Sequence, residues 1–246
     1  MKPYAPVPYS DFSQDEPRAR YESAIAAVKG LLPGRAPLII GGEERDTAQQ
    51  IQSVNPASPA TVVAVAGSAT VADASDALDA AWNAFPGWAA TPAAERAAIV
   101  HRIGDVMEER IHEFSAWMTM EAGKNYTESE ADTAEAIDFC RYYAHQAVAM
   151  DEPVDVYSYP GETNESFLRP LGAGVVIPPW NFPLAILCGM AVGPVAAGNT
   201  VVLKPASNTP MIGAMFMDAV RAAGLPPGVI NFLPGSGGSI GDALVD

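Results

Sequence analysis

The chain has 246 residues, 49% of them hydrophobic, which is enough for one large domain or two small ones with a sizeable core. A formal net charge of −15 excludes a basic nucleic-acid surface and opposes docking on an anionic membrane. No apolar run reaches the roughly 20 residues of a spanning helix, and residues 1–10 have neither a basic start nor an apolar h-region, so the cytoplasm is the expected compartment.

In chain order, Ser13 with Glu16 has the form of a capping box and predicts a helix reaching Gly30. Residues 38–40 predict a short strand with Gly41-Gly42 as its turn. Residues 51–54 and 62–66 have strand character and are separated by Asn55-Pro56 and Ser58-Pro59. Thr70 and Asp73 predict the cap of a helix that ends near Phe85-Pro86. Thr91-Pro92 starts the next helix, with proline in a first turn where its missing N–H costs nothing. Helical pattern then continues to about Met150, broken at Glu121-Ala122-Gly123-Lys124. Residues 153–159 and 165–169 flank Pro160-Gly161 and predict a β-hairpin. Few apolar residues lie on either of its faces, so it is expected to leave the body.

From Pro170 the texture changes. Residues 170–246 carry Asp218, Asp242 and Asp246 against Lys204 and Arg221, so nearly all the negative charge lies before them. Strand pattern at 174–177, 200–203 and 229–233 alternates with helical pattern at 184–197, 209–223 and from 239 onward. Short connections predict right-handed crossovers and a parallel sheet. The expected fold class is α/β: a doubly wound parallel sheet over 170–246, an N-terminal helical layer over 1–152 and a protruding hairpin over 153–169. Cys140, Cys188 and three histidines are too scattered for a metal site, and the two thiols read as buried and free.

Ligands of open parallel sheets bind beyond the carboxyl ends of the strands, and three unusual clusters fall there. Pro178-Pro179-Trp180-Asn181-Phe182-Pro183 follows the first strand. Asn181 either caps the next helix or offers a carboxamide to a developing oxyanion. Lys204 and Ser207 follow the second strand, where the lysine either snorkels to solvent or holds a ligand hydroxyl or phosphate. The glycine-rich run 234–241 follows the third. It is either a flexible loop or a helix N-terminus whose backbone meets a nucleotide.

Together, "VVIPPWNFPLAI", "AAGNTVVLKPASNTP" and "AGLPPGVINFLPGSGGSIG" resemble successive nucleotide-domain signatures of the aldehyde dehydrogenase superfamily. "EADTAEAIDFCRYYA" and "GETNESFLRPLGAGVVIPPWNF" resemble the subgroup that oxidises L-glutamate γ-semialdehyde, the open form of 1-pyrroline-5-carboxylate, to glutamate in proline breakdown. The resemblance covers essentially the whole chain and implies an incomplete dinucleotide-binding domain of that family. It implies Asn181 as the oxyanion-hole amide, with Ile177, Pro178, Pro179 and Trp180 lining the nicotinamide end of the cofactor. Lys204 and Ser207 would meet the adenosine ribose, Gly235 and Gly241 the adenine side, and Phe182 and Glu135 the aldehyde tunnel. Many NAD-preferring relatives have glutamate where Ser207 stands, so the resemblance implies NAD as the cofactor without excluding NADP. The hairpin would belong to the arm of a homo-oligomer.

The family's mechanism needs a thiolate to attack the aldehyde and a glutamate to activate water. The resemblance places both beyond Asp246, and it makes neither Cys140 nor Cys188 the nucleophile. On this expectation the isolated chain has no dehydrogenase activity. It is then either a non-catalytic remnant or a nucleotide-binding half that needs a complementary chain, with a raw sheet edge and an uncovered face.

Overall fold

A computed structural model describes residues 4–245 of the chain. Helix α1 spans Asp15–Lys29, with Asp15 and Glu16 at its positive end and Lys29 at the other. The expected capping box is absent. The Ser13 hydroxyl donates to Asp11 Oδ1 at 2.6 Å, and Glu16 pairs with Arg20 at 2.5 Å. Gln14 therefore takes the cap position without a side-chain bond, because a carboxylate two residues away captures the serine first.

Strands β1 (Gly34–Ala36), β2 (Leu38–Ile40) and β3 (Glu43–Arg45) precede a longer hairpin of β4 (Gln50–Asn55) and β5 (Ser58–Gly67). Gly41 and Gly42 turn β2 into β3 with φ of 61° and 87°, a region that side chains avoid. β1 adds to β5 in parallel through residues 34–36 and 64–66. Ser58 and Pro59 lie in β5 rather than in a connection. There β5 pairs only with β4, so the missing proline N–H interrupts little.

Helix α2 (Val71–Ala90) opens on the predicted Thr70–Asp73 capping box, each side chain bonding the other's backbone N–H. It runs on through Pro86, where the sequence predicted a stop. The reason is Trp88, which is buried and donates its indole N–H to Val195 O at 2.8 Å, holding the last turn despite the bond lost at proline. Helices α3 (Ala93–Glu109), α4 (Ile111–Ala122) and α5 (Tyr126–Met150) complete the helical layer. Strands β6 (Val154–Asp155) and β7 (Glu165–Ser166) pair in an exposed hairpin. Then β8 (Ala173–Val176), α6 (Ala185–Ala196), β9 (Thr200–Leu203), α7 (Pro210–Ala222), β10 (Ile230–Phe232) and α8 (Gly237–Val245) alternate as predicted.

β8, β9 and β10 are parallel neighbours. The sheet is wider than this crossover unit, in the order β3-β2-β10-β9-β8, with β2 antiparallel to β10. α2 and α8 cover one face, packing Ala74, Ala77, Ala81, Ile240 and Leu244 on Leu38, Ile40, Val202 and Leu233. α6 and α7 cover the other, where Leu187, Val192 and Phe216 meet Val201, Leu203 and Phe232. Both faces of β9 are therefore buried, against the expectation of an uncovered face. What lies open is the β8 edge, beside which Leu171 is 95% exposed. No helix among the described residues is long and apolar enough to cross a membrane.

Gly123 ends α4 in the left-handed region, at φ 71°. A Cβ on it would stand 2.7 Å from Pro56 Cγ. Gly123→Ala is expected to destabilise the protein by roughly 1–3 kcal/mol, read as a lower urea midpoint at unchanged slope. An unchanged midpoint would show that the α4–α5 junction relaxes freely.

Candidate cofactor and substrate site

The three predicted clusters converge at the carboxyl ends of β8, β9 and β10. Backbone bonds lash the ends together: Lys204 N–H donates to Val176 O at 2.9 Å, and Leu233 N–H to Leu203 O at 2.8 Å.

After β8, buried Pro178 and exposed Pro179 end the ladder and set a rigid turn. Asn181 is exposed and makes no hydrogen bond among the described residues. It does not cap α6, so the capping alternative fails. Leu184 holds the cap position without a side-chain bond, and the Ala185 N–H goes to Asp132 Oδ1 at 2.7 Å. Asp132 comes from α5 and is buried. Its other oxygen accepts from Lys124 Nζ at 2.6 Å, and that ammonium lies 4.1 Å from the centre of the Phe182 ring. Burial pushes the Asp132 carboxyl above its ordinary range, while the Lys124 ammonium and the backbone donors pull it down.

The turn divides two cavities. Trp180 lines one of about 390 Å³ together with Ser53, Glu121, Ser207, Asn208 and Thr209. Asn181 and Phe182 line another of about 360 Å³ together with Tyr9, Lys124, Glu128, Asp132 and Glu135. The pair expected to line an aldehyde tunnel, Phe182 and Glu135, therefore shares one cavity with Asn181. Burial and the nearby Asp132 raise the Glu135 carboxyl, which Lys124 partly offsets. Of the residues expected at the cofactor, Trp180 and Ser207 line the first cavity, whereas Ile177 (42% exposed), Pro178, Pro179, Lys204, Gly235 and Gly241 line neither.

After β9, Lys204 is buried rather than snorkelling. Its Nζ donates to Pro205 O at 3.1 Å and Gly235 O at 3.2 Å, and burial lowers its pKa. Ser207 Oγ donates to the same Gly235 carbonyl at 3.2 Å. After β10, Gly235 is tightly held, since a Cβ there would lie 2.7 Å from Ile240 Cδ1. Gly237, Gly238 and Gly241 face open space, so another molecule can approach this backbone closely. Gly241 itself lies within α8, beyond the loop.

Three residues of this site escaped the sequence reading, which saw residues 121–124 only as a helix break. Lys124 and Asp132 form the pair beside Phe182. Glu121, fully buried, accepts from Met211 N–H at 2.9 Å and Ile212 N–H at 3.0 Å, capping α7 from a different helix. A signal was present. Asp132 stands four and eight residues before Ala136 and Cys140 on the buried stripe of α5, and Glu121 stands three and four after Met118 and Trp117 on that of α4. A carboxylate on an apolar stripe needs a partner. The cysteines are free and buried as predicted, with Sγ atoms 3.4 Å apart, and burial pushes the Cys188 thiol well up.

The profile of the aldehyde dehydrogenase family matches residues 43–246. A 1-pyrroline-5-carboxylate dehydrogenase of Halalkalibacterium halodurans is 46% identical over 246 residues, which is 100% of this chain and 48% of the relative. The crystal structure of 1-pyrroline-5-carboxylate dehydrogenase from Thermus with bound NAD superposes with a TM-score of 0.97 at 46% identity, over 100% of this chain and 48% of that one. The Δ-pyrroline-5-carboxylate dehydrogenase of Mycobacterium tuberculosis does so at 0.91 and 32%, over 99% of this chain and 45% of that one. The chain thus spans about half the length of the curated relatives it matches.

Burial pushes Glu121 from an ordinary 4.5 up to about 7, against the pull of its two N–H donors. A carboxyl raised on folding contributes stability that is complete below pH 4.5 and lost as pH rises to about 7. Across that window the parent is expected to lose roughly 3 kcal/mol relative to Glu121→Gln. Unfolding titrations at several pH values measure this, and parallel curves would refute it.

Proposed function

The chain belongs to the aldehyde dehydrogenase family, and on that premise we propose that it supplies the cofactor cradle and oxyanion amide of an NAD(P)-dependent 1-pyrroline-5-carboxylate dehydrogenase. That enzyme oxidises L-glutamate γ-semialdehyde to L-glutamate in proline breakdown. The observation that carries this reading is the turn between the two cavities, with Trp180 on one side and the unbonded Asn181 carboxamide on the other. The NAD bound to the Thermus relative supports the cofactor. So do the features beside the first cavity: a buried ammonium, a hydroxyl and an accessible glycine backbone. The relatives' names support the substrate.

In this reading Lys204 and Ser207 bind the adenosine ribose, and the short uncharged Ser207 admits NADP as well as NAD. The Asn181 N–H₂ donates to the aldehyde oxygen as it gains charge, and Phe182 and Glu135 flank the substrate. A nicotinamide held there would supply the hydride acceptor. The attacking thiolate and the base for water come from outside the described residues, since Cys140 and Cys188 are buried against each other. A nucleotide-binding role for the isolated chain is favoured by the tie of Lys204 and Ser207 to Gly235, which is already formed. Residues 1–152, 153–169 and 170–246 act as helical part, arm and nucleotide-binding core. The exposed Val154, Tyr157, Tyr159, Phe167 and Leu168 of the arm fit contact with a second copy in a cytoplasmic homo-oligomer.

Two measurements test this. Calorimetric titration of the chain with NAD is expected to show binding that weakens at least about tenfold in Lys204→Ala, the loss of one charged hydrogen-bonding group; equal binding would remove Lys204 from the site. In the dehydrogenase completed by the half this chain does not span, Asn181→Ala should lower kcat for glutamate semialdehyde by about 10²–10³. Unchanged kcat, followed by absorbance of the reduced cofactor, would reject the oxyanion role.

A further inference from the structure

An oxyanion donor works only when held within about 0.5 Å of its productive position. Asn181 has no hydrogen bond of its own to hold it. Its place is set by the turn on which it stands, and one chain of contacts holds the C-terminal side of that turn. At the near end the Phe182 ring lies against the Lys124 ammonium, 4.1 Å away. At the far end the Ala185 N–H is held by Asp132 Oδ1 at 2.7 Å. Lys124 and Asp132 close the chain between them at 2.6 Å.

The pair is costly to keep. The Asp132 side chain is 0% exposed and that of Lys124 13%. Withdrawing two such charges from water costs several kcal/mol per ion, and well-packed apolar residues of similar volume are often equally or more stable. Asp132 also caps α6, but a neutral asparagine could accept the same N–H, so capping does not by itself call for an ion pair here. Position does: Asp132 fixes Lys124 and the start of α6 with its two oxygens, and the contacts so made pin the chain one and four residues after Asn181. We infer that Lys124 and Asp132 are positioning residues that hold the Asn181 carboxamide in register, through the Phe182 ring next to it and the first N–H of α6 three residues further on. The inference rests on the oxyanion role proposed for Asn181.

The test uses the active dehydrogenase carrying this chain, with Lys124→Met, Asp132→Asn, the double variant and Lys124→Arg. The double variant leaves no unpaired buried charge, and its asparagine can still accept from Ala185, so it is expected to fold. A misplacement near 1 Å can cost about 10²-fold in rate. The double variant is expected to lose at least about tenfold in kcat, with its NAD Kd within about twofold of the parent and its melting temperature unchanged or higher. Lys124→Arg should restore most of the rate, because a guanidinium can both pair with Asp132 and stack on Phe182. Unchanged kcat in the double variant overturns the inference. So does a joint fall of kcat, NAD binding and melting temperature, which marks a general structural role. If the parent shows no dehydrogenase activity, the functional reading fails, and a crystal structure of the double variant decides. A displaced Asn181 turn supports the positioning role, and a superposing one rejects it.

Discussion

Of the three helices that begin at the site, α6 and α7 supply no side-chain cap of their own. The first N–H of α6 is taken by Asp132 and two of the first N–H groups of α7 by Glu121, both reaching across from the helical layer. An uncapped helix start buried away from water would leave several donors unsatisfied. The carboxylates remove that cost and gain from the positive end of each helix. They also convert a local requirement into a tertiary one: α6 and α7 are complete only when α4 and α5 are docked. The turns that precede them, one bearing Trp180 and Asn181 and the other Ser207, inherit their positions from this docking.

The sheet contributes the opposite kind of control. Its central strands are buried and short, and their ends are tied by backbone bonds and by Lys204 and Ser207 sharing the Gly235 carbonyl. Four residues at the α4–α5 junction meet both turns. Glu121 reaches the start of α7, and Lys124, three residues later, reaches Phe182. Gly123 between them takes the backbone conformation that lets the chain reverse there. The cavities on the two sides of the turn are thus referenced to one short stretch of chain.

Much of this was legible where the determining interactions are local. The Thr70–Asp73 box, the Gly123 stop and the alternation of β8 to α8 follow from neighbours within a few residues. The departures have two causes. Ser13 was claimed by a local competitor, Asp11, whereas α2 was carried past Pro86 by Trp88 binding Val195, and the start of α6, which Asn181 could have capped, was taken by Asp132. In the last two, a partner roughly 50 to 107 residues away decided the outcome. The width of the sheet was hidden in the same way, since nothing in residues 38–45 announces a partner near residue 231. The residues proposed for the cofactor were visible because strand ends collect unusual clusters. The buried carboxylates were visible only as charged residues on apolar stripes, a pattern that asks for a partner without naming it.

The pairing of β2 with β10 also sets a clock. Gly41 donates its N–H to the Asn231 side chain, 190 residues later. At roughly 5–20 residues per second of synthesis, β2 emerges about 10–40 seconds before its partner exists. For that interval Leu38, Ile39 and Ile40, all buried in the finished fold, stand on a strand without its sheet. The helical layer can collapse meanwhile on its local contacts, but the sheet beneath it waits for β10. The nascent chain therefore carries an adhesive strand until residue 232 has been made, a load that falls on chaperones rather than on the folded molecule.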